Sequence, residues 1–292
     1  LRHRPVIVLS SNDGCCVSRS NEAKAIGIPM GVPFFELKSV IEKHHVQVFS
    51  SNFELYADMS QRVMKILTSY SPTIEFYSID EAFLEWNTVD KNYQQLGAVI
   101  RQDILQQTGI SVSVGIGQTK TLAKAANELA KKHPEYQGVF DFARLNTTER
   151  LQYLGLIPVG DVWGIGRHSA PKLHNLGIYS AADLAQASPQ LIKQVTSIHG
   201  MRTATELQGI TCLDLNDHPD AKKGICSSRS FGTVITKISA LQESIASHID
   251  HGCAKLRKEG SIAQFLTIFV KTRTKHEAPK YRSCNLSLAT AS

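Results

Sequence analysis

The sequence has neither a long apolar run nor the paired cysteines of a zinc site. None of its apolar stretches approaches the roughly 20 residues that a membrane-spanning helix needs, and no signal-peptide pattern is present at its start. Its 6 cysteines are scattered without a CxxC spacing, as reduced cysteines of intracellular proteins usually are. These absences argue against a membrane protein, a disulfide-rich secreted domain and a zinc site. We expect a cytoplasmic protein.

Low-complexity tracts and internal repeats are also absent, and charge is unevenly distributed. With 292 residues and 42% apolar content, the chain can form two or more domains. Residues 224–292 hold ten Lys and Arg against four Asp and Glu, which accounts for the whole net charge of +6. Such a basic segment indicates contact with a polyanion through counterion release. A merely solvated basic surface is the alternative.

The order of apolar patterns predicts an α+β fold with several modules. Residues 1–51 read as a small mixed unit, with a strand at Val6–Leu9 and short helices near 21–26 and 33–43. Residues 52–145 read as an α+β layer, with helices near 56–70, 93–107 and 119–132 and strands near 73–79, 82–86 and 111–116. Residues 146–213 read as short helices punctuated by glycine. Residues 214–224 form a polar linker that contains proline.

The last module, residues 225–292, has the pattern of a split β-α-β-β-α-β unit that is incomplete here. The predicted elements are a strand at Cys226–Ile235, a helix at Ala240–Lys258 and strands at Ala263–Arg273 and Ser283–Ala289. The final helix and strand of the unit would follow residue 292.

Two adjacent carboxylates, Asp80 and Glu81, stand between apolar segments typical of strands. Regular alternation would send the two side chains to opposite faces of a sheet. They can converge if the pair lies at the tip of a hairpin that joins 74–79 with 82–86. Hard oxygen ligands at such a tip suit Mg²⁺, and two ions could support an in-line phosphoryl displacement. A solvated acidic turn is the ordinary alternative.

The segment after this hairpin region predicts a helix from Thr119 to Lys132 with one basic stripe. At roughly 100° per residue, Lys120, Lys124 and Lys131 fall on one side. The opposite, apolar side carries Leu122, Ala125, Ala126 and Leu129. The Gly-Ile-Gly at 115–117 would let a backbone or a phosphate approach closely, although it does not match a Walker pattern.

A glycine-rich segment, Val162 to Arg167, followed by Pro171-Lys172-Leu173, predicts a helix-hairpin-helix. Glycines let backbone N–H groups and a helix N-terminus reach a phosphate, and basic side chains add charge without reading bases. A tight turn between packed helices is the alternative. Ser180 with Asp183 predicts a capping box for the next helix.

Together these segments resemble the Y family of translesion DNA polymerases. The similarity is carried by YSIDEAF, VSVGIGQTKTLAKAAN, DVWGIGR and SRSFG, with SSNDGCC and SSNFELYADMS in support. It covers essentially the whole chain and is greatest to the UmuC-like branch, the catalytic subunits of bacterial polymerase V and their plasmid-borne relatives. The resemblance implies fingers at 1–51, a palm at 52–145, a thumb at 146–213 and a partial little finger at 225–292.

The resemblance also implies error-prone translesion synthesis in the SOS response, with transfer of nucleotides from dNTPs to a primer 3′-hydroxyl by two Mg²⁺ ions. It makes Asp80 and Glu81 the catalytic, metal-binding carboxylates. Many relatives carry Tyr at the position of Asn21. The implied nucleotide-binding residues are Lys24, Lys131 and the neighbouring Asn21, and the implied DNA-binding residues are Gly164, Gly166, Arg167, Lys172 and Arg229.

In the family a third carboxylate, and the aromatic residue that screens out ribonucleotides, belong to a strand that should precede Leu1. By the same likeness, the partners are primer-template DNA, a UmuD-like subunit, the RecA filament and a sliding clamp.

Two other function classes remain open at this point. One is a non-catalytic, DNA-binding fragment of such a polymerase, which the missing third carboxylate favours. The other is a nucleotidyl cyclase, which can share a palm-like layer with paired carboxylates. The predicted glycine hairpin and the basic C-terminal module argue against a cyclase.

Overall fold

A computed structural model of the chain describes residues 3–10, 14–86, 92–216, 223–231, 233–272 and 280–288. It divides into two units, one formed by residues 52–219 and the other by residues 1–51 with 220–292. Both contain helices and strands, as the predicted α+β class requires. Within the described ranges, no helix is long and apolar enough to cross a membrane.

Residues 1–51 form a small sheet covered by short helices. Its order is β2-β1-β3, and β1 is antiparallel to β2 and parallel to β3. The elements are β1 (Val6–Leu9), β2 (Cys16–Arg19), α1 (Asn21–Ala25), α2 (Lys38–His44) and β3 (Gln47–Ser50). Ile7 and Leu9 are buried because they point to the same face of β1. The predicted strand at β1 and helix at α1 are confirmed, whereas β2 and β3 were not predicted.

The C-terminal part of this unit is a long helix followed by a hairpin. Its elements are α11 (Ile238–Glu259), β8 (Phe265–Thr272) and β9 (Lys280–Ser287), and β8 and β9 pair in an antiparallel manner. The helix and both of these strands were predicted. None of the residues of α11 is buried.

The prediction of a strand at Cys226–Ile235 is wrong for the described residues of that range, which have no regular structure. A strand needs a neighbour that satisfies its backbone N–H and C=O groups. Among the described strands, β8 and β9 pair only with each other. Val234 is also 89% exposed, so burial of this residue does not hold the segment in place either. The observed order is therefore α-β-β rather than β-α-β-β.

In the first part of the larger unit, the described residues form two separate pairs of strands and three helices. Strands β4 and β5 are antiparallel, and β6 and β7 are parallel. The elements are α3 (Phe53–Leu67), β4 (Ile74–Phe76), β5 (Ala82–Leu84), α4 (Tyr93–Thr108), β6 (Val114–Ile116), α5 (Lys120–Lys132) and β7 (Val139–Asp141). The predicted helices are confirmed within a few residues, the predicted strands are shorter, and β7 was not predicted.

Helix α5 packs directly on β6, and this contact explains the two glycines at 115 and 117. A Cβ at Gly115 would lie 2.1 Å from both the Ala123 carbonyl oxygen and the Asn127 nitrogen. A Cβ at Gly117 would lie 2.8 Å from the Ala123 nitrogen. The sequence left open whether a backbone or a phosphate approaches these glycines, and in the structure it is the backbone of α5.

The second part of the larger unit consists of short helices that share a core with α5. They are α6 (Thr147–Leu154), α7 (Ala170–His174), α8 (Ala181–Gln186), α9 (Pro189–Val195) and α10 (Ile198–Leu207). The shared core includes Leu122 and Leu129 of α5 together with Leu154, Leu173 and Leu184. The capping box predicted from Ser180 and Asp183 is present at the start of α8.

A buried carboxylate joins α10 to the start of α5. Glu206 is fully buried, and its Oε2 accepts hydrogen bonds from the Thr121 backbone nitrogen at 3.0 Å and from Thr121 Oγ1 at 2.7 Å. Its Oε1 accepts from the backbone nitrogens of Cys212 and Leu213 at 3.1 and 3.0 Å. The negative charge also lies at a helix N-terminus, which stabilises it.

Candidate functional site

The two predicted carboxylates lie at the end of the hairpin formed by β4 and β5. The pleat is broken between Phe76 and Ala82, which face each other in the last strand pair. The loop is closed by a 3.0 Å hydrogen bond from the Ser78 nitrogen to the Glu81 carbonyl oxygen. The predicted geometry is therefore confirmed, because both acids belong to one turn instead of to opposite faces of a strand. We call residues 77–83 the acidic hairpin.

The carboxylates differ in their surroundings. Asp80 is exposed, and its Oδ1 accepts a 2.7 Å hydrogen bond from Ser78 Oγ. Glu81 is partly exposed, and its Oε1 lies 2.5 Å from Lys124 Nζ. Burial, and in second place the charge of Asp80, raise the pKa of the Tyr56 phenol on α3.

Helix α3 also fixes the backbone of the acidic hairpin. Ser60 Oγ donates a hydrogen bond to the carbonyl oxygen of Ile79, directly before the carboxylates. The tip is thus attached to a neighbouring helix in addition to its own two strands.

The predicted lysine stripe of α5 is only partly free. Lys120 forms an ion pair with Glu75, and its Nζ donates to the Asp214 carbonyl oxygen at 2.6 Å. Lys124 is paired with Glu81, whereas Lys131 is exposed. The opposite side of the helix is buried, as predicted. The stripe therefore divides into two lysines engaged by the hairpin region and one lysine that faces solvent.

A cavity of about 210 Å³ lies beside the hairpin. Its lining includes Glu81, Lys124, Lys131, Asp161 and Trp163. Glu81, a metal-binding candidate, and Lys131, a nucleotide-binding candidate, thus line the same cavity, which carries charges of both signs.

The predicted helix-hairpin-helix is present in shortened form. A three-residue 3-10 turn, Val159–Asp161, precedes the hairpin, and α7 follows it with only five residues. Val162, Ile165 and Leu173 are buried and hold the segment against the core. We call residues 162–169 the glycine hairpin.

The two predicted glycines of this hairpin have different roles. Gly164 has φ of +87°, and a Cβ there would lie 2.7 Å from Thr203 Oγ1, so the fold itself requires glycine. Gly166 has open space around its Cβ position. Arg167 and Lys172 are exposed, and among the described residues neither has an ion-pair partner. Gly166 and the two basic side chains are therefore accessible to a phosphate.

Aromatic side chains join the acidic hairpin to the glycine hairpin. Trp163 Nε1 donates a 3.0 Å hydrogen bond to the Tyr77 hydroxyl, and their ring centroids are 5.6 Å apart. Phe83 contacts both rings at 5.6 and 5.9 Å. The sequence reasoning missed this group, although an aromatic residue precedes the glycines of the one hairpin and aromatic residues flank the acids of the other.

The remaining predicted residues lie in the smaller unit. Asn21 and Lys24 are neighbours on α1, with 3.4 Å between Lys24 Nζ and Asn21 Oδ1. Arg229 is exposed in a segment without regular structure.

The chemistry of the acidic hairpin fits a divalent cation such as Mg²⁺. It offers two hard carboxylates at an exposed tip, and Mg²⁺ usually binds through one or two carboxylates, substrate phosphates and water. Within the part of the chain that the structure describes, no group of three or more His, Cys, Asp or Glu could hold a metal. Further ligands would therefore come from substrate, water or another segment.

Comparison with solved structures defines the class of fold. The Y-family DNA polymerase chimera Dbh-Dpo4(243-245)-Dbh matches with a TM-score of 0.71 over 98% of this chain and 81% of that chain, at 21% sequence identity. DinB from Sulfolobus solfataricus matches with a TM-score of 0.62 over 99% of this chain and 81% of that chain, at 20% identity. The chain therefore has the fold of a Y-family DNA polymerase.

Family models and sequence relatives identify the branch. The impB/mucB/samB family model matches residues 1–128, the family's C-terminal domain matches residues 222–292, and its HHH motif matches residues 148–178. Protein UmuC of Salmonella typhimurium is 44% identical over 92% of this chain and 64% of its own length. Protein ImpB of Salmonella typhimurium is 43% identical over 93% of this chain and 65% of its own length. The chain belongs to the impB/mucB/samB family and is UmuC-like.

Proposed function

We propose that the chain is part of a DNA-directed DNA polymerase that copies damaged templates with low fidelity. Because it spans only 65% of the length of ImpB and 64% of that of UmuC, the activity of the whole protein is part of this proposal. The observation that carries it is the acidic hairpin, where Asp80 and Glu81 share one accessible tip beside a cavity with Lys131.

The proposed reaction is nucleotidyl transfer. The primer 3′-hydroxyl oxygen forms a bond to the α-phosphorus of a dNTP, the bond from that phosphorus to the bridging oxygen of the β-phosphate breaks, and pyrophosphate leaves. The hydroxyl proton is released to a base or to water. Asp80 and Glu81 would hold two Mg²⁺ ions, which supply charge neutralisation and activation of the hydroxyl.

Lysines orient the nucleotide in this proposal. Of the three stripe lysines of α5, Lys131 is the exposed one and lines the cavity, whereas Lys120 and Lys124 are engaged by Glu75 and Glu81. Its ammonium would bind the β- and γ-phosphates. On the family resemblance, Lys24 and the neighbouring Asn21 are further proposed nucleotide-binding residues. Small fingers at 1–51 would check the nascent base pair loosely, which favours bypass of lesions over fidelity.

The glycine hairpin is the proposed contact to the DNA backbone. Gly166 offers open space, and Arg167 and Lys172 are exposed charges without ion-pair partners in the described part of the chain. Such contacts position a duplex and carry no base specificity. Arg229 and the net positive charge of residues 224–292 would add sequence-independent affinity.

Primer extension with dNTPs and Mg²⁺, on an undamaged template and on one with an abasic site, tests the proposal. Asp80→Ala should lower extension by more than about 100-fold, because a charge-stabilising group of the transition state is lost. Its affinity for the duplex should stay within about twofold, since phosphate contacts are made elsewhere. Asp58→Ala, which removes an exposed acid from α3, is the matched control. Extension by Asp80→Ala at the wild-type rate would refute the metal role.

A DNA-binding role without catalysis is the second candidate. The observation that favours it is that the described residues bring together no group of three potential metal ligands. Duplex binding without extension on either template would select this candidate, and extension by the unmodified chain would exclude it.

The proposal extends, on the family resemblance alone, to a role in the SOS response with a UmuD-like subunit, the RecA filament and a sliding clamp as partners. Co-purification of each purified partner with this chain tests that extension.

A further inference from the structure

Trp163, a residue of the glycine hairpin, contacts Tyr77 of the acidic hairpin. Its Nε1 donates to the Tyr77 hydroxyl at 3.0 Å, with the two rings nearly perpendicular at 84°. A pair of this kind is directional, because both an N–H donor and an edge-to-face arrangement must be satisfied. The contact therefore fixes an orientation in addition to filling space.

On one side, Trp163 is tied to the glycine hairpin. Its carbonyl oxygen accepts a 3.3 Å hydrogen bond from Thr203 Oγ1, and the following Gly164 packs against the same threonine. The residues on either side of this pair, Val162 and Ile165, are buried. A displacement of the glycine hairpin must therefore move the indole of Trp163.

On the other side, Tyr77 shares a cation with the metal-binding candidate. Lys124 Nζ lies 5.6 Å from the centroid of the Tyr77 ring and 2.5 Å from Glu81 Oε1. An ammonium over an aromatic face is attracted to the ring, so Tyr77 and Glu81 together determine where it lies. The position of the Glu81 carboxylate in turn depends on the position of the Lys124 ammonium, because the two form a close ion pair.

We propose that Trp163 is a positioning residue that orients Glu81 through Tyr77 and Lys124, and so links DNA contact at the glycine hairpin to the geometry of the acidic hairpin. The inference rests on the proposed role of Glu81 in binding metal. A positioning role of Trp163 differs from a packing role in one respect. Packing needs only the two rings, whereas positioning also needs the hydrogen bond between the Trp163 N–H and the Tyr77 hydroxyl.

Fluorescence tests the contacts without metal or DNA. The chain has 2 tryptophans, so Trp86→Phe leaves Trp163 as the only indole. In that background, Glu81→Gln and Lys124→Met should each shift the Trp163 emission maximum, because each change moves or removes the charge over Tyr77. Lys65→Met, which removes an exposed lysine from α3, should leave the emission unchanged. Unchanged emission in both Glu81→Gln and Lys124→Met would overturn the proposal.

Single-turnover kinetics test the consequence for the reaction. Trp163→Phe and Tyr77→Phe each keep a ring but remove one partner of the hydrogen bond. Each should lower the rate of nucleotide incorporation about fivefold, the effect of losing one hydrogen bond, while the Kd for the duplex changes less than about twofold. Lys65→Met, on α3 and outside both hairpins, should change neither the rate nor the Kd.

The double variant separates positioning from packing. Trp163→Phe with Tyr77→Phe should lose no more rate than either single variant, because both remove the same interaction. Rates equal to wild type, or losses that multiply, would overturn the proposal. If the unmodified chain extends no primer, the proposed function fails, and the emission of the Glu81→Gln and Lys124→Met variants still decides whether Trp163 senses Glu81.

Discussion

Two groups of carboxylates lie close to α5, and their surroundings are opposite. Glu206 is fully buried and accepts four hydrogen bonds, two at each oxygen. At the acidic hairpin, Asp80 accepts a hydrogen bond from Ser78 Oγ and Glu81 is paired with Lys124. The first carboxylate has saturated its acceptor capacity within the fold, whereas the other two retain lone pairs at an accessible tip.

This difference separates a structural acid from an acid that can bind a ligand. A carboxylate has about four acceptor positions, and a buried one is tolerated only when they are filled. Glu206 meets that condition and has no capacity left for a cation. Asp80 and Glu81 can accept one, because water or a metal can reach them. Residue type alone does not distinguish the two cases.

The largest expected effect is on stability at the buried acid. Glu206→Ala should lower the free energy of unfolding by about 3 kcal/mol or more, because the buried donors of Thr121 and the partly buried backbone N–H groups of Cys212 and Leu213 lose their acceptor. Urea unfolding followed by circular dichroism measures the change. Glu206→Gln keeps the shape and one acceptor oxygen, and should lose less. A loss below about 1 kcal/mol in Glu206→Ala would show that the two groups of acids do not differ as argued.

A somewhat smaller loss in the free energy of unfolding is expected when α5 itself is displaced. Gly115→Ala places a Cβ against the backbone of α5 at 2.1 Å, so the helix must move away from β6. We expect a loss of about 2 kcal/mol, typical of overpacking. Gly166→Ala, at a position with open space, should change the same free energy by less than about 0.5 kcal/mol. Equal effects of the two substitutions in urea unfolding would argue against this close contact.

The accessible acid should matter far less for stability. Glu81→Gln should change the free energy of unfolding by less than about 1 kcal/mol, because its pair with Lys124 is partly exposed and such pairs contribute little. The same variant should lose primer extension, as the proposed function requires. A destabilisation as large as that of Glu206→Ala would mean that Glu81 is a structural acid.

The sequence allowed the acidic hairpin to be predicted, because the alternation of β4 and β5 excludes a shared site unless the pair lies in a turn. It also allowed the buried side of α5 and the capping box at Ser180 to be predicted. Each of these features depends only on residues that are close together in the sequence. Local periodicity and turn chemistry are sufficient for them.

The features that could not be predicted depend on partners far apart in the chain. Glu206 bonds to Thr121 across 85 positions, and Trp163 bonds to Tyr77 across 86. The ion pair of Lys120 with Glu75 likewise joins residues far apart in the chain, so the predicted basic stripe did not reveal it. The prediction of a strand at 226–235 was wrong for a related reason, because alternation of apolar and polar residues produces a strand only where a neighbouring strand pairs with it.

The smallest expected change in the free energy of unfolding concerns Asp141. This acid is buried like Glu206 but accepts fewer hydrogen bonds. It is 3% exposed, and its Oδ1 accepts a 2.7 Å hydrogen bond from the Ala143 nitrogen. Burial is the largest influence and raises the pKa of this carboxyl above its ordinary value of 3.8, although backbone amides and Arg144 act in the opposite direction. The folded state therefore binds the proton more tightly than the unfolded state does.

The sign of the pH dependence follows from this raised pKa. The contribution of Asp141 to stability is fully present below the pKa of the unfolded state and is lost as pH rises through the higher pKa of the folded state. The difference in unfolding free energy between wild type and Asp141→Asn should therefore shift in favour of Asp141→Asn as pH increases through that range, and be constant above it. Urea unfolding of both proteins in a pH series measures this difference, which cancels the titration of all other groups. A shift in the opposite direction would mean that the backbone hydrogen bonds to the Asp141 carboxylate outweigh the effect of its burial.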